Sequence, residues 1–396
     1  MRDMLPQDMR QFRRVEDQFR QCCVQWGYQE VRTPLLEYLH LFTATGTLTP
    51  DMLNRVYSFL DWDGWSGERV VLRPDGTIPA ARLYITEMAQ RTTARLFYVQ
   101  DVLSFGATGT ESREKWQAGV EVMGGRSPQA EVELVSLALE VLEGLGLKPE
   151  LRLGHMGLLR SLLEELGVTE EEEEVDRFTA QEGLLWERLR DSRPEMGEAL
   201  ALAKLEGGSP GFLENLGSVL LPHLPILRQP LEEFSAIAGL LTSLDCPYAI
   251  DLGLGSGFEY YTGAVFHFYC GDVRVGGGGR YDNLIPLLGG KAVPATGFAL
   301  YVDRIMSMVP GPVSGPPVLV QADEGCWPWA FSLAGEMRAQ GIAAEMAAGE
   351  PMDHPGVSVM VQEGPVYILP GKGRFASPAE VVRVLKEGGD AEISPA

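Results

Sequence analysis

The chain has 396 residues, of which 45% are hydrophobic and 22% are charged, and this balance excludes disorder as its main state. Its length suits two or three domains with buried cores. Because 33 Lys and Arg stand against 55 Asp and Glu, the net charge is −22 at pH 7. Nucleic-acid affinity comes mainly from Lys and Arg that neutralise phosphates, so we expect no nucleic-acid partner.

Cysteine, histidine and hydropathy patterns predict the compartment and the cofactor requirement. The five cysteines include no Cys-x-x-Cys pair and the five histidines show no ligand spacing, so we predict no metal site and no cofactor. Cysteines that pack in a core are typical of a reducing compartment. The N-terminal residues lack the apolar run of a signal peptide, and no stretch of about 18 apolar residues occurs. We therefore expect a cytoplasmic protein without a membrane segment.

The N-terminal half of the chain alternates helices and strands. Apolar side chains recur every three or four residues from Met9 to Trp26, which predicts a helix that ends at Gly27. Three β-rich runs follow, at 69–72, 96–103 and 116–123. Ser127 and Pro128 are typical of a helix start, so a second long helix is predicted after them.

The remaining chain divides at two points. From about 168 to 240 strand signals are few and an acidic run is typical of a solvated helix, so we interpret this segment as a helical insertion. Residues 309–317 hold four prolines and two glycines, which predicts a linker. The predicted domains are therefore a core at 1–308 and a small α/β domain at 318–396.

Two glycine-rich segments differ from phosphate-binding loops. Residues 276–279 lack the Gly-Lys-Ser/Thr of a P-loop, and the glycines around Ser256 do not have the Gly-x-Gly-x-x-Gly spacing of a dinucleotide site. We predict tight turns at both segments. Ser256 itself is not a hydrolase nucleophile, because leucine and phenylalanine occupy the two places that require glycine.

Six polar side chains in the β-rich segments form the main candidate site. They are Asp75, Thr77, Gln117, Glu121, Tyr260 and Tyr261. Gln117 and Glu121 are an even number of residues apart on a predicted strand, so they lie on the same face. Carboxylates that accept from an ammonium or imidazole group, together with hydroxyls, suit a small cationic or amphoteric ligand. Spacing alone leaves open the alternative that these are unrelated surface groups.

Six segments that include these residues occur in an order typical of one enzyme family. They are GYQEVRTPLLE (27–37), LRPDGT (72–77), WQAGVE (116–121), EYYTGAVF (259–266), GGRYD (278–282) and GFALYVDRI (297–305). Up to about residue 305 the chain thereby resembles the class II histidyl-tRNA synthetases. The resemblance implies an α+β fold, in which a class II synthetase-like antiparallel sheet is flanked by helices and joined to the helical insertion and the C-terminal α/β domain.

The resemblance also implies roles for the candidate residues. In that family the segments matching LRPDGT and WQAGVE, with the paired tyrosines, hold the amino acid. By resemblance, the α-amino group of histidine faces Asp75, Thr77 and Gln117, and its imidazole faces Glu121 and Tyr261 with Tyr260 close by.

The departures from the family concern arginines that handle ATP. Ser104 stands where the family's second motif has an arginine, and Ser256 stands where its RGLDYY segment has another. Loss of one positioned donor costs about 3–4 kcal/mol, so two additive losses imply a deficit of about 10⁴-fold. Arg304 keeps the place of an ATP-binding arginine, and Arg113 is the other remaining candidate for a nucleotide contact. We therefore expect aminoacylation to be lost.

A synthetase-like core without these arginines is similar to another family, the regulatory subunits of ATP phosphoribosyltransferase. Residues 318–396 resemble a reduced anticodon-binding domain, but their five Lys and Arg against eleven Asp and Glu suit RNA poorly. This resemblance implies a non-catalytic subunit in the first step of histidine biosynthesis. The implied partners are a short-form catalytic subunit, a second copy bound through residues 34–37, and L-histidine as a ligand.

Two other functions stay open from the sequence. The first is a divergent histidyl-tRNA synthetase-like enzyme that activates an amino acid. The second is a free-standing histidine sensor with a different partner. Feedback histidine binds either in the synthetase-like pocket or at a subunit interface.

Overall fold

The computed structural model of the chain divides into two compact units, Met1–Gly311 and Pro312–Ala396. It describes residues 3–45, 56–62, 67–105, 112–165, 191, 207–254, 260–309, 316–347 and 356–389. Ser256 and residues 310–315 of the predicted linker lie outside these described residues, as does the predicted insertion before residue 207 except for position 191.

Helices and strands alternate along the first unit. Its helices are α1 (Pro6–Gln25), α2 (Leu39–Ala44), α3 (Thr77–Leu83), α4 (Gln129–Gly144), α5 (Met156–Glu165), α6 (Pro210–Leu220), α7 (Arg228–Ser243), α8 (Leu284–Leu287) and α9 (Val302–Met306). Its strands are β1 (Gln29–Glu30), β2 (Leu36–Tyr38), β3 (Ser58–Trp62), β4 (Gly67–Leu72), β5 (Ala94–Leu103), β6 (Glu114–Met123), β7 (Glu150–His155), β8 (Ala249–Ile250), β9 (Ala264–Cys270), β10 (Val273–Arg280) and β11 (Ala295–Tyr301). A π-helical segment, Tyr84–Met88, extends α3, and a 3-10 turn, Pro225–Leu227, precedes α7.

The first helix confirms the prediction from apolar spacing and begins slightly earlier, at Pro6. Its buried side chains recur every three or four residues and include Phe12, Val15 and Phe19. Gly27 ends this segment with a φ of +81°, a left-handed conformation that glycine adopts without steric cost.

An eight-stranded sheet in the order β1-β5-β6-β11-β10-β9-β7-β8 forms the centre of the first unit. Within the six strands from β5 to β7 every neighbouring pair is antiparallel, which confirms the predicted antiparallel sheet. The outermost pairs, β1 with β5 and β7 with β8, are parallel. On one face Phe97 and Phe298 pack against Phe19 of α1, with ring centroids 6.0 and 6.5 Å from it. The opposite face carries the candidate site.

The prediction of a tight turn at residues 276–279 is wrong. These glycines lie inside β10, paired with β9 on one side and with β11 on the other. A Cβ atom added to Gly276 would stand 2.8 Å from the carbonyl oxygen of Ala299. Glycine is therefore needed here because neighbouring backbone approaches the strand closely.

Two smaller sheets complete the described structure. In the first unit β2, β4 and β3 form an antiparallel sheet in that order. The second unit contains β12 (Val318–Ala322), β13 (Ala344–Met346), β14 (Ser358–Gln362), β15 (Val366–Leu369), β16 (Gly373–Phe375), α10 (Trp327–Ala339) and α11 (Pro378–Gly389). Its five-stranded sheet has the order β13-β12-β14-β15-β16 and its own apolar core. Within the described ranges, no helix has the length and apolar character needed to cross a bilayer.

Candidate ligand-binding site

A transverse row of residues forms the floor of the candidate site on the face of the main sheet opposite α1. From β5 to β7 the row reads Tyr98, Gly119, Ala299, Gly277, His267 and Arg152. Directly paired residues of neighbouring antiparallel strands project from the same face. Because the three central residues are glycine or alanine, larger side chains from neighbouring positions can lie across the sheet there.

Glu121 on β6 is the centre of the site. It is fully buried, and its Oε1 atom accepts a hydrogen bond from the Tyr98 hydroxyl at 3.1 Å. Its Oε2 atom accepts from the Tyr281 hydroxyl, and the Thr77 side chain also hydrogen-bonds to it. Burial raises the pKa of Glu121 to about 8, and these hydrogen bonds only partly oppose that rise. The site therefore holds a carboxyl group that takes up a proton near neutral pH.

Glycines make room for this buried network. A Cβ atom at Gly119 or at Gly76 would overlap the ring of Tyr98. A Cβ atom at Gly297 would overlap the carboxylate of Glu121 and stand 2.7 Å from the Tyr281 hydroxyl. The polar side chains therefore lie directly on the sheet backbone, where side chains at these positions would displace them.

Three tyrosines enclose the cluster from the side of the 260–281 segment. The ring centroid of Tyr260 lies 5.0 Å from that of Tyr261 and 5.6 Å from that of Tyr281. Tyr260 and Tyr261 are 7% and 5% exposed, and burial raises the pKa of both hydroxyls. These phenols stay neutral at physiological pH and act as hydrogen-bonding groups.

An ion-pair network holds the segment that carries Tyr281. The Arg280 guanidinium pairs with Glu131 of α4 and with Asp282, the latter at 3.0 Å. Asp282 in turn accepts a hydrogen bond from the backbone N–H of Ala295 at 2.9 Å. Because Arg280 is 6% exposed and Glu131 is fully buried, this network ties α4 to the sheet at the edge of the site.

Asp75 occupies the turn before α3, and its carboxylate is committed to backbone donors. Its Oδ2 atom accepts from the N–H of Ile78 at 3.1 Å, and the N–H groups of Gly76 and Thr77 also contribute. Burial raises the pKa of Asp75 despite these bonds. The same carboxylate raises the pKa of Glu121, so the two acids are within electrostatic reach.

Gln117 lies on the same strand face as Glu121, about 13 Å away along β6. Its neighbours across the sheet are Gln100 on β5 and Tyr301 on β11. Its side-chain Oε1 atom is buried and has no hydrogen-bond partner among the described residues. An unpaired buried acceptor of this kind costs about 1–3 kcal/mol, which a donor from a ligand would remove.

Comparison with known proteins identifies the family. The histidyl-tRNA synthetase family model matches residues 1–305. The chain belongs to the histidyl-tRNA synthetase family. The class II synthetase-like fold expected from the motifs is thereby confirmed.

Relatives in this family include both regulatory subunits and ligases. An ATP phosphoribosyltransferase regulatory subunit from Dehalococcoides mccartyi is 47% identical over 352 residues, which cover 87% of this chain and 85% of that protein. A histidine–tRNA ligase from Methanocaldococcus jannaschii is 33% identical over 317 residues, 77% of this chain and 73% of that protein. The resemblance to the regulatory subunits of ATP phosphoribosyltransferase is thus confirmed.

Solved structures agree with this assignment. The crystal structure of an ATP phosphoribosyltransferase regulatory subunit/histidyl-tRNA synthetase from Bacillus halodurans matches with a TM-score of 0.73 at 26% identity, covering 89% of this chain and 93% of that chain. An apo histidyl-tRNA synthetase from S. aureus matches with a TM-score of 0.67 at 20% identity, covering 98% of both chains, and shows the shared fold.

Ser104, Arg113 and Arg304 make their described contacts with residues other than Glu121. Ser104 directly follows β5, and its N–H donates to the carbonyl of Arg113 at 2.9 Å. The Arg113 guanidinium lies 4.7 Å from the ring centroid of Phe105. Arg304 is exposed and donates to the carbonyl oxygen of Arg274 at 2.8 Å. In the described part of the chain, neither the Arg113 nor the Arg304 guanidinium hydrogen-bonds to the cluster around Glu121.

Sequence analysis missed two residues of the cluster, Tyr98 and Tyr281. Tyr281 lies in the GGRYD segment and Tyr98 in a predicted strand, so both were visible as motif or strand residues. Their function depends on contacts with Glu121 across the sheet, and local spacing carries no signal for such contacts. Among the described residues, no three His, Cys, Asp or Glu side chains come together as metal ligands.

Proposed function

We propose that this chain is a non-catalytic regulatory subunit of ATP phosphoribosyltransferase. We also propose that it binds L-histidine at the Glu121 cluster, which consists of Glu121 and its partners Thr77, Tyr98 and Tyr281. The 47% identity to the regulatory subunit from Dehalococcoides mccartyi supports the first part, since it exceeds the 33% identity to the ligase from Methanocaldococcus jannaschii. The chemistry of the buried site supports the second part.

The observation that carries the ligand assignment is the buried carboxyl group of Glu121 with a pKa of about 8. An imidazole has an ordinary pKa of about 6.5, so the carboxyl group and the ring hold one shared proton near neutral pH. Either partner then donates to the other in a charge-assisted or neutral hydrogen bond. An aliphatic side chain offers no such partner and would leave the buried carboxyl group unmatched.

Groups that accept hydrogen bonds also suit the α-amino group of the ligand. The buried Oε1 atom of Gln117 lacks a partner among the described residues, and the carboxylate of Asp75 lies within electrostatic reach of Glu121. An ammonium group has three donors and no acceptor, which matches a set of acceptors. We therefore propose that Asp75, Thr77 and Gln117 face the α-amino group and that Tyr260 and Tyr261 enclose the ring.

The absence of amino-acid activation is part of the proposal. Adenylation needs cationic donors on the transferring phosphate, and a serine hydroxyl at position 104 supplies no charge. The Arg113 guanidinium, the first cation after Ser104 in the sequence, packs on the ring of Phe105. Arg113 and Arg304 are left as candidates for a residual nucleotide contact.

We propose that a second copy of this chain binds to the small sheet β2-β4-β3 and to residues 34–37, which lead into this sheet and begin β2. Leu36, Tyr38 and Phe59 are 45%, 46% and 45% exposed, and the strand pairing places all three on one face of this sheet. A contiguous apolar patch of this kind marks a protein interface. We propose that the homodimer formed here carries the short-form catalytic subunits.

Histidine acts in this proposal by differential affinity. A ligand shifts a complex between active and inhibited states only as far as it binds one state more tightly. Coupling energies of about 1–3 kcal/mol are typical, so histidine is expected to change the ratio of active to inhibited complexes by about 5–150-fold.

Reconstitution with a short-form ATP phosphoribosyltransferase catalytic subunit tests this function. The catalytic subunit is expected to gain activity when the full chain is added, to co-elute with it, and to lose activity when histidine is added. If activity does not increase and the two proteins do not co-elute, the result would favour the alternative that this chain is a free-standing histidine sensor with a different partner. Pyrophosphate exchange that requires ATP and histidine would instead identify an amino-acid-activating enzyme.

A further inference from the structure

Arg274 of β10 lies on the same face of the sheet as Glu121 of β6, two strands further along the floor of the site. Its Nη2 atom is 2.6 Å from the place where a Cβ atom of Gly277 would stand, and its Nε atom donates to the carbonyl of Gly276 at 3.3 Å. The guanidinium therefore folds back over the glycines of β10 instead of extending away from the sheet. Any side chain at Gly277 would displace it.

The backbone positions over which the Arg274 and Glu121 side chains lie are separated by about the length of one bound amino acid. Glu121 lies over Gly297, which pairs with Gly279, so Gly277 is a diagonal neighbour of Gly297 at about 7–8 Å. In histidine, three carbon–carbon bonds of about 1.5 Å separate the ring from the carboxylate carbon. Hydrogen bonds of about 2.8 Å at both ends extend the reach of the ligand to about 8–11 Å.

Tyr261 is buried within electrostatic reach of both charged groups. The charge of Arg274 lowers the pKa of Tyr261, while that of Glu121 raises it, so the phenol is within electrostatic reach of both. The Arg274 guanidinium also lies 5.8 Å from the ring centroid of Tyr301, the neighbour of Gln117 across the sheet. Arg274 thus contacts Tyr301, beside Gln117, and lies within electrostatic reach of Tyr261.

His267 lies beside Arg274 at this end of the floor, with its Cδ2 atom 2.8 Å from the place where a Cβ atom of Gly277 would stand. The side chain is 6% exposed, and its Nδ1 atom is buried without a hydrogen-bond partner among the described residues. Burial, with the charges of Arg274 and Arg152, lowers the pKa of His267 to about 3, so the ring is neutral and carries a single N–H. A carboxylate beside Arg274 would supply a negative charge close to this unpaired polar group.

We propose that Arg274 binds the α-carboxylate of the histidine whose imidazole is held at Glu121. This inference rests on the proposed function and assigns a residue to a task for which the synthetase-type arginines are replaced by Ser104 and Ser256. It makes Arg274 the specificity-determining residue for an amino acid over the corresponding amine. The ammonium group then lies between the two ends, on the side of Gln117.

Calorimetric titration of the full chain with histidine, histidinol and histamine tests the assignment. All three ligands carry the imidazole and the amine, but histidine alone carries the carboxylate. Wild type is expected to prefer histidine over histamine by about 10–100-fold, as charge-assisted hydrogen bonds require. Arg274→Ala should weaken the affinity for histidine by a similar factor and leave the affinity for histamine unchanged. The ratio of the two affinities then falls to about one. Arg274→Lys keeps the charge but loses the bidentate hydrogen-bond geometry, so its preference for histidine should be intermediate between those of wild type and Arg274→Ala.

The controls separate this inference from the function on which it rests. Arg91→Ala removes an exposed arginine that bonds to Gln29, and it should leave all three affinities unchanged. Equal affinity of wild type for histidine and histamine, or equal weakening of both by Arg274→Ala, would overturn the role of Arg274 while histidine binding stands. Failure of wild type to bind any of the three ligands would overturn both proposals. The comparison of ligands on wild type needs no variant, so equal affinities for histidine and histamine would overturn the role of Arg274 even if Arg274→Ala fails to fold, and Arg274→Lys then supplies the positive test.

Discussion

The pH dependence of stability should change when Glu121 is replaced by glutamine. Glu121 is fully buried between the hydroxyls of Tyr98 and Tyr281. Glutamine keeps the shape of the side chain and an oxygen acceptor, but it does not ionise in this pH range. The variant therefore removes the titration of one group with little change in packing.

The magnitude follows from the pKa of this carboxyl group. In the folded protein the pKa of Glu121 is raised from an ordinary 4.5 to about 8. Between these two pH values the folded chain binds one more proton than the unfolded chain, so the free energy of unfolding falls as pH rises. The slope for one proton is about 1.4 kcal/mol per pH unit, and the full window amounts to about 4–5 kcal/mol. Below 4.5 and above 8 this contribution stays constant.

Urea denaturation from about pH 5 to about pH 9 measures the effect. The free energy of unfolding of wild type should fall relative to that of Glu121→Gln as pH rises, and the difference should level off above pH 8. Glu87→Gln, at an exposed position, is the matched control and should track wild type at every pH. A difference between wild type and Glu121→Gln that stays constant with pH would refute a raised pKa at Glu121.

Further variants test the packing around the site. Gly119→Ala would overlap the ring of Tyr98, so it should lower the free energy of unfolding by about 1–3 kcal/mol and weaken histidine binding. Gly239 lies in α7 with open space around it, so Gly239→Ala should raise the free energy of unfolding by up to about 1 kcal/mol. Equal effects of the two in urea denaturation would contradict the close packing. Arg280→Met leaves Glu131 buried without its partner and should cost about 3–5 kcal/mol, most of which the double variant with Glu131→Met should restore.

Local patterns were sufficient for the elements whose residues interact along the chain. The spacing of Phe12, Val15 and Phe19 predicted α1, because a helix buries residues three and four positions apart. Alternation placed Gln117 and Glu121 on one face of β6, because a strand repeats every two residues. These parts of the fold follow from periodicity alone.

Contacts between distant segments were beyond the reach of such patterns. Tyr98 is 23 residues from Glu121 and Tyr281 is 160 residues from it, and both bonds exist only because β5, β6 and β10 meet in the same sheet. The glycines of β10 were assigned to a turn because glycine-rich segments are typical of turns. Pairing with β9 and β11 overrides that preference, since a central strand gains hydrogen bonds on both edges.

The most direct test of the account is histidine inhibition of the reconstituted complex of this chain with a short-form catalytic subunit. The wild-type complex should be inhibited by histidine, and the complex carrying Glu121→Gln should need about 10–100-fold more histidine for the same inhibition, because it lacks one charge-assisted hydrogen bond. The complex carrying Glu87→Gln should respond like wild type. Inhibition that is identical in all three complexes would place the regulatory histidine outside the Glu121 cluster and contradict the account.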